Sequence, residues 1–109
     1  MHELGITQNI VSIVSEKAGN QKIKRVKLEI GKLSAIMPDA IRFCFDICAE
    51  GTVLAGAILE IDEIAGRGRC NICGAEMPLT LLAGTCACGA NDIKCIAGEE
   101  LNIKEMEVV

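Results

Sequence analysis

The chain has 109 residues, with 11 basic and 15 acidic side chains and a formal net charge of −4. Nucleic-acid binding depends mainly on clustered Lys and Arg, so this charge disfavours a DNA or RNA partner. No apolar run approaches the roughly 20 residues of a membrane span and no export signal is visible, so we expect a cytoplasmic protein without a membrane partner.

The first half of the chain predicts two helices and two strands. A helix is predicted over 3–18, where Leu4, Val11, Val14 and Ala18 recur at helical spacing. Residues 22–30 alternate between apolar and charged side chains, which is typical of a half-buried strand. Pro38 suits the first turn of a second helix, and a second alternating strand follows at about 57–64.

The second half changes character at residue 66. Glycine and cysteine dominate residues 66–98, which indicates a small module held together by something other than an apolar core. Residues 101–109 return to strand chemistry, with an irregular alternation that indicates a bulge or an edge position. The predicted fold is therefore α+β, with two helices on a small three-stranded sheet. The predicted domains are residues 1–65 plus 99–109 and an inserted zinc-ribbon-like module, 66–98.

Four cysteines in the inserted module form the strongest motif in the sequence. They make a C-x-x-C-G pair and a C-x-C-G pair, namely Cys70 with Cys73 and Cys86 with Cys88. Two facing pairs supply four soft ligands in a tetrahedron, which is the closed geometry of structural zinc. Such a site leaves no open position for catalysis. Cys95 is close enough in sequence to replace Cys86 or Cys88, although its apolar neighbours favour a place in the core.

Cys44 and Cys48 form a third pair, four residues apart on the apolar face of the second helix. Since no histidine or third cysteine lies near them in sequence, we interpret both as core residues. The chain contains no Ser-His-Asp or Cys-His grouping and no carboxylate pair with a reason to share a cleft. The sequence therefore predicts a protein that is not an enzyme.

The only histidine of the chain is His2, next to Met1 and Glu3. A histidine in that position can offer one metal the terminal amine, a backbone amide and the imidazole. Ni(II) and Cu(II) favour such a tetragonal set of nitrogen donors, whereas Zn(II) does not. Glu3 adds a further amide and a carboxylate, so the N-terminus is a candidate nickel site.

The complete chain resembles the HypA/HybF family of hydrogenase-maturation nickel chaperones. The resemblance rests on the initial MHE, the helix–strand–helix–strand opening, the two-knuckle cysteine module and the ending GEELNIKEMEV at 98–108. It implies delivery of Ni(II) to the large-subunit precursor of a [NiFe]-hydrogenase, with a maturation GTPase as a partner. It also implies a nickel site centred on His2 and Glu3, with the Met1 amine as a further donor, and a structural zinc.

Two other classes of function compete with this interpretation. A zinc-ribbon adaptor that only docks proteins would need the cysteines but would be indifferent to His2. A thiol redox enzyme would use Cys70 and Cys73 and cycle a disulfide, which requires a reactive thiolate that is not already bound to metal.

Overall fold

The computed structural model describes residues 3–109, which form two helices and two three-stranded sheets. In chain order the elements are α1 (Glu3–Ala18), β1 (Ile23–Gly31), α2 (Pro38–Ala49), β2 (Ile58–Ile64), β3 (Gly66–Cys70), β4 (Glu76–Leu79), β5 (Ile93–Ala97) and β6 (Leu101–Val108). The predicted α+β class, with two helices on a small three-stranded sheet, is confirmed; the inserted module forms a second sheet, which was not predicted.

The first sheet has the strand order β2-β1-β6. The central strand β1 pairs in parallel with β2, through the crossover that contains α2, and antiparallel with β6. Val26 of β1 lies opposite Leu59 of β2 and Met106 of β6. The C-terminal strand therefore completes the sheet that the N-terminal strand begins.

The core lies between this sheet and the two helices. Its fully buried side chains come from every layer and include Val14, Val26, Leu28, Ile41 and Leu54. Burying one such side chain stabilises the fold by about 1.5–3 kcal/mol before the entropy of ordering it is subtracted. The core is aliphatic except for Phe45, because the chain contains no Trp or Tyr.

Helix α1 has the predicted bounds, but its buried face differs from the prediction at two positions. Leu4, which was expected on the apolar face, is 48% exposed. Thr7 is fully buried instead, and its hydroxyl donates a 2.7 Å hydrogen bond to the Glu3 carbonyl one turn earlier. A threonine can be buried at this position because the helix backbone satisfies its hydroxyl.

Strand β6 contains the predicted irregularity and also lies at the edge of its sheet. Lys27 pairs with Glu105 but the next residue, Leu28, pairs with Ile103, so Lys104 is the extra residue of a bulge. The bulge places both Ile103 and Met106 against the core, although simple alternation would direct them to opposite faces.

The sheet face opposite the helices carries a ladder of charged side chains. Arg25 forms ion pairs with Glu60 on β2 and with Glu105 and Glu107 on β6, the last two at 3.1 and 3.3 Å. These contacts, in which the Glu107 carboxylate accepts from Arg25 and also pairs with Lys24, hold the pKa of Glu107 below its usual range. The charged ladder thus links all three strands on the solvent side.

The second sheet has the order β4-β3-β5 and joins the first sheet at a close backbone crossing. A side chain on Gly31 would collide with the Gly98 carbonyl, and one on Gly98 would meet the backbone of Gly66 at 2.6 Å. The Leu33 amide donates a 2.7 Å hydrogen bond to the Gly98 carbonyl at the same place. We call these four residues the glycine junction.

Within residues 3–109, neither helix is long and apolar enough to cross a membrane.

Candidate metal centres

The first cysteine pair lies on a tight turn at the end of β3. The Cys70 amide donates to the Ala75 carbonyl at 2.8 Å, and the Gly74 amide donates to the Cys70 carbonyl at 2.9 Å. Gly74 has a φ of +77°, which only glycine adopts without strain. This backbone turn brings Cys73 back toward Cys70.

The second pair, Cys86 and Cys88, lies on a similar turn that is one residue shorter. The Cys86 amide donates to the Ala90 carbonyl at 2.8 Å, and the Gly89 amide donates to the Cys86 carbonyl at 2.9 Å. Gly89 again has a positive φ, +91°. The unusual C-x-C spacing is therefore compatible with a knuckle, because the glycine and the carbonyl acceptor both shift by one residue.

The two knuckles face each other, and their four sulfur atoms lie within 4.8 Å of one another. The sulfur–sulfur distance is 3.7 Å between Cys70 and Cys88 and 3.5 Å between Cys73 and Cys86. A zinc ion with four Zn–S bonds of about 2.3 Å places neighbouring sulfurs about 3.8 Å apart. The four cysteines therefore fit a tetrahedral zinc ion.

The same distances bear on the redox alternative. A disulfide has a sulfur–sulfur distance of about 2.05 Å, and all seven cysteines are free thiols. The 3.7 and 3.5 Å approaches both join one knuckle to the other, Cys70 to Cys88 and Cys73 to Cys86. This arrangement favours shared metal ligation over a C-x-x-C disulfide cycle.

Backbone amides prepare one of these thiols for metal binding. The amides of Cys73 and Ile72 point at the Cys70 sulfur and lower the pKa of that thiol to about 7. The Ala75 amide also lowers the pKa of Cys73. The neighbouring thiols of Cys86 and Cys70 together have the larger, opposite effect, so the pKa of Cys73 is raised. The lowered pKa favours the thiolate of Cys70, which is the form that metal ligation requires.

A bridge between the first knuckle and the start of β5 was not anticipated from the sequence. Asn71 donates through its backbone amide to the Asp92 carbonyl and through its side chain to the Asp92 carboxylate, both at 2.9 Å. Asp92 lies just before β5, so the bridge fastens the first knuckle to the third strand of the module. Local sequence patterns do not reveal such a contact, because the two residues lie 21 positions apart.

Cys95 lies on β5 and outside the four-sulfur cluster. Its half-buried thiol donates to the Ala97 carbonyl at 3.2 Å, and burial together with the nearby Glu99 raises its pKa. A thiol that resists ionisation is a poor metal ligand. Its position favours Cys86 and Cys88, and not Cys95, as ligands of the second knuckle.

Cys44 and Cys48 are half-buried on α2. Cys48 packs against the main core, and burial raises its pKa. Neither thiol belongs to a group of three or more possible ligands within residues 3–109. The interpretation of the pair as packing residues stays a prediction, with Cys48 carrying the closer contact to the core.

At the predicted nickel site, Met1 and His2 lie outside the described residues. Glu3 is the first residue of α1, and its carboxylate accepts a 3.3 Å hydrogen bond from the Met37 amide just before α2. A cavity of about 380 Å³ beside Met37 is also lined by the charged residues Lys32, Asp39 and Glu63. The sequence gives no signal for the contact between Glu3 and Met37, which are 34 residues apart.

Comparison with known proteins identifies close relatives of this chain. The sequence model of a family described as "Hydrogenase/urease nickel incorporation, metallochaperone, hypA" matches residues 1–108. A hydrogenase maturation factor HypA from Trichormus variabilis is 65% identical over 108 residues, which cover 99% of this chain and 96% of that protein. One from Geobacter metallireducens is 48% identical over 109 residues and 99% of each chain.

Two solved structures share the fold. "Solution structure of HypA protein" superposes with a TM-score of 0.76 at 26% identity and covers 100% of this chain and 97% of the other. The Ni metallochaperone HypA from Helicobacter pylori gives 0.71 at 24% identity and covers 100% and 98%. The likeness to the second structure concerns the fold alone. Both extend over the two helices, the two sheets and the cysteine module described above.

Proposed function

This chain belongs to the HypA family of hydrogenase maturation factors, which are metallochaperones and not enzymes, and on that premise we propose that it carries Ni(II) at its N-terminus. The observation that carries the proposal is the placement of its only histidine at position 2, within the stretch matched by a nickel-incorporation family. Nickel is the cargo of the protein and not a resident cofactor.

The proposed nickel ligands are the imidazole of His2 and the backbone nitrogens of His2 and Glu3, with the Met1 amine as a further donor. A mostly nitrogen plane of this kind suits Ni(II) and discriminates against Zn(II). Support comes from the Glu3 carboxylate, which the Met37 amide ties to the start of α2. That contact joins the last residue of the proposed site to both helices, since Glu3 begins α1 and Met37 precedes α2.

A structural zinc is the proposed resident metal, held by Cys70, Cys73, Cys86 and Cys88. When bound, it would crosslink two knuckles whose module has few buried side chains of its own. The proposed domains follow the two sheets. They are the nickel-binding domain, residues 1–65 plus 99–109, and the zinc-binding module, residues 66–98. The Asn71–Asp92 bridge and the lowered pKa of Cys70 prepare the knuckles for the metal.

We further propose that the nickel is delivered to the large-subunit precursor of a [NiFe]-hydrogenase, with a maturation GTPase as a partner. The hydrogenase-maturation names of the close relatives support this recipient class. The proposed compartment is the cytoplasm, where a reducing environment keeps thiols available for metal.

Nickel titration of the protein with an authentic N-terminus, and of a second protein with extra residues before Met1, tests the proposal. The extension removes the terminal amine from its position and should weaken binding, while zinc content stays at one ion per chain. Equal nickel affinity in both proteins would contradict the amine-containing site. Absence of nickel binding in the authentic protein would favour the zinc-ribbon adaptor without nickel transfer.

A further inference from the structure

A groove of about 430 Å³ runs between α1 and α2 on the outer surface of the helix layer. Leu4 and Val11 of α1 line one side of the groove, and Ile47 and Cys48 of α2 line the other. The polar residues Gln8, Ser12, Ser15 and Thr52 also line the groove, yet most of its accessible surface is apolar. Val11 and Cys48 also pack in the core, whereas Leu4 and Ile47 lie outside it and stay exposed.

Large apolar side chains stand open to solvent in the groove and beside it, Leu4 and Ile47 in its lining and Phe43 next to it. Leu4 is 48% exposed and Ile47 is 54% exposed. Phe43, one of only two aromatic residues, is 72% exposed and lies one helical turn before Ile47 on the same face. Exposed apolar side chains that lie next to one another indicate an interaction surface, whereas isolated ones do not.

The charge around the groove indicates what kind of partner fits. The two helices and the adjoining Glu50 carry five acidic and two basic residues. Asp46 and Glu50 lie three and seven residues after Phe43, which places them on the same exposed helical face. Arg42 pairs with Asp39 at 3.8 Å, and Lys17 is at the far end of α1. The surface is therefore apolar with an acidic rim.

The groove also begins next to the proposed nickel site. Leu4 follows Glu3 directly, so a partner seated on Leu4 would have the N-terminus of this chain within a few residues' reach. Transfer of a labile metal requires donor and acceptor to be held close, and a docking surface continuous with the metal site achieves that at little entropic cost.

We propose that this groove docks a basic amphipathic helix of the protein that receives the nickel. This assignment of the receiving partner rests on the proposed function, whereas the groove itself does not. The partner helix would lay apolar side chains spaced three and four residues apart between Leu4, Phe43 and Ile47. Its Lys or Arg residues would face Asp46 and Glu50 at the rim.

The test uses three fluorescent 18-residue peptides and the complete zinc-loaded protein. One peptide carries leucines on one helical face and lysines on the other, the second replaces lysine with glutamate, and the third scrambles the first. Anisotropy titrations should show that the amphipathic lysine peptide binds at least tenfold more tightly than the other two. Amide shifts in NMR spectra of the unmodified protein should concentrate on α1 and α2.

Point variants then locate the surface. Phe43→Ser and Ile47→Ser should each weaken the lysine peptide at least fivefold, whereas Leu81→Ser should not, because Leu81 is as exposed, at 70%, but lies in the zinc module. Unchanged circular dichroism and zinc content would show that the variants are folded.

Equal binding of the lysine and glutamate peptides, or unchanged binding by Phe43→Ser, would overturn the proposal. So would a dimer that Phe43→Ser converts to a monomer in sedimentation equilibrium, since a second copy would then cover the groove. Nickel titration of the same variants separates the two proposals. A variant that binds nickel but no longer binds the lysine peptide supports the groove. A parent protein that binds the lysine peptide but does not bind nickel contradicts only the proposed function.

Discussion

The Met37 amide donates a 3.3 Å hydrogen bond to the carboxylate of Glu3. Through this contact the first turn of α1 is joined to the residue that precedes α2. Glu3, the first residue that the structure describes, is therefore tied to the starts of both helices.

The first prediction concerns His2. His2→Ala should lower nickel affinity by more than tenfold and leave zinc content and the thermal unfolding midpoint unchanged, because the imidazole is proposed to serve the nickel alone. Isothermal titration calorimetry measures the affinity. Binding by the parent protein should also weaken as the pH falls toward about 6.5, where an unperturbed imidazole becomes protonated. Undiminished nickel affinity in His2→Ala would favour the zinc-ribbon adaptor without nickel transfer.

The second prediction concerns the zinc ligands. Cys70→Ala should release the metal and unfold residues 66–98, while the helical circular dichroism signal persists, because both helices belong to the other core. Elemental analysis and limited proteolysis measure the two effects. Cys95→Ala is the matched control and should keep its zinc. Zinc lost from Cys95→Ala and retained by Cys86→Ala would instead place Cys95 in the ligand set.

The third prediction concerns the thiols of α2. Replacing Cys44 or Cys48 with alanine should lower the free energy of unfolding by about 1 kcal/mol, as expected for a small truncation at a half-buried position. The loss should be larger at Cys48, which packs on the core. Urea denaturation measures it. Any change in nickel or zinc stoichiometry would show that the pair binds metal.

The fourth prediction concerns the glycine junction. Gly31→Ala should destabilise the protein strongly, because its methyl group would collide with the Gly98 carbonyl, and backbone cannot move aside as a flexible side chain can. Gly5→Ala is the control. No atom lies within 4 Å of the added methyl there, and alanine in a helix is favoured over glycine by about 1 kcal/mol. Similar unfolding midpoints for the two variants would contradict the tight crossing.

The fifth prediction concerns acid stability. The lowered pKa of Glu107 means that the folded protein binds the proton less readily than the unfolded chain does. Its stabilising contribution should be complete above the ordinary carboxyl range and disappear as the pH falls through the lowered value. Glu107→Gln should therefore reduce the unfolding midpoint slightly at pH 7 and have no effect at strongly acid pH. Equal unfolding midpoints for Glu107→Gln and the parent protein at pH 7 would contradict this contribution.

Much of the fold was predictable because its signals are local. Apolar periodicity gave both helices and the three strands of the first sheet, and Pro38 marks the start of α2 as expected. The spacing of the four cysteines predicted their cluster, because two glycine-backed turns can bring thiols together with few contacts to distant residues.

The remaining features depend on distant contacts or on backbone geometry. Thr7 is buried because the Glu3 carbonyl satisfies it, and Leu4 is exposed although it shares the helical period of the core. The bulge at Lys104 changes which residues of β6 face inward, and its position is set by pairing with β1. A sequence pattern records side-chain polarity but contains neither of these geometric facts.

The pairing of β1 with β6 also determines the order in which the strands of the first sheet can pair. Arg25 and Glu107 are 82 residues apart, so the second edge of β1 is covered by a segment that is synthesised much later than β1 itself. A loop of that length is entropically costly to close. A metal crosslink between the two knuckles would shorten the free chain between β2 and β6, so zinc should speed the pairing of β6 with β1 when the denatured protein refolds.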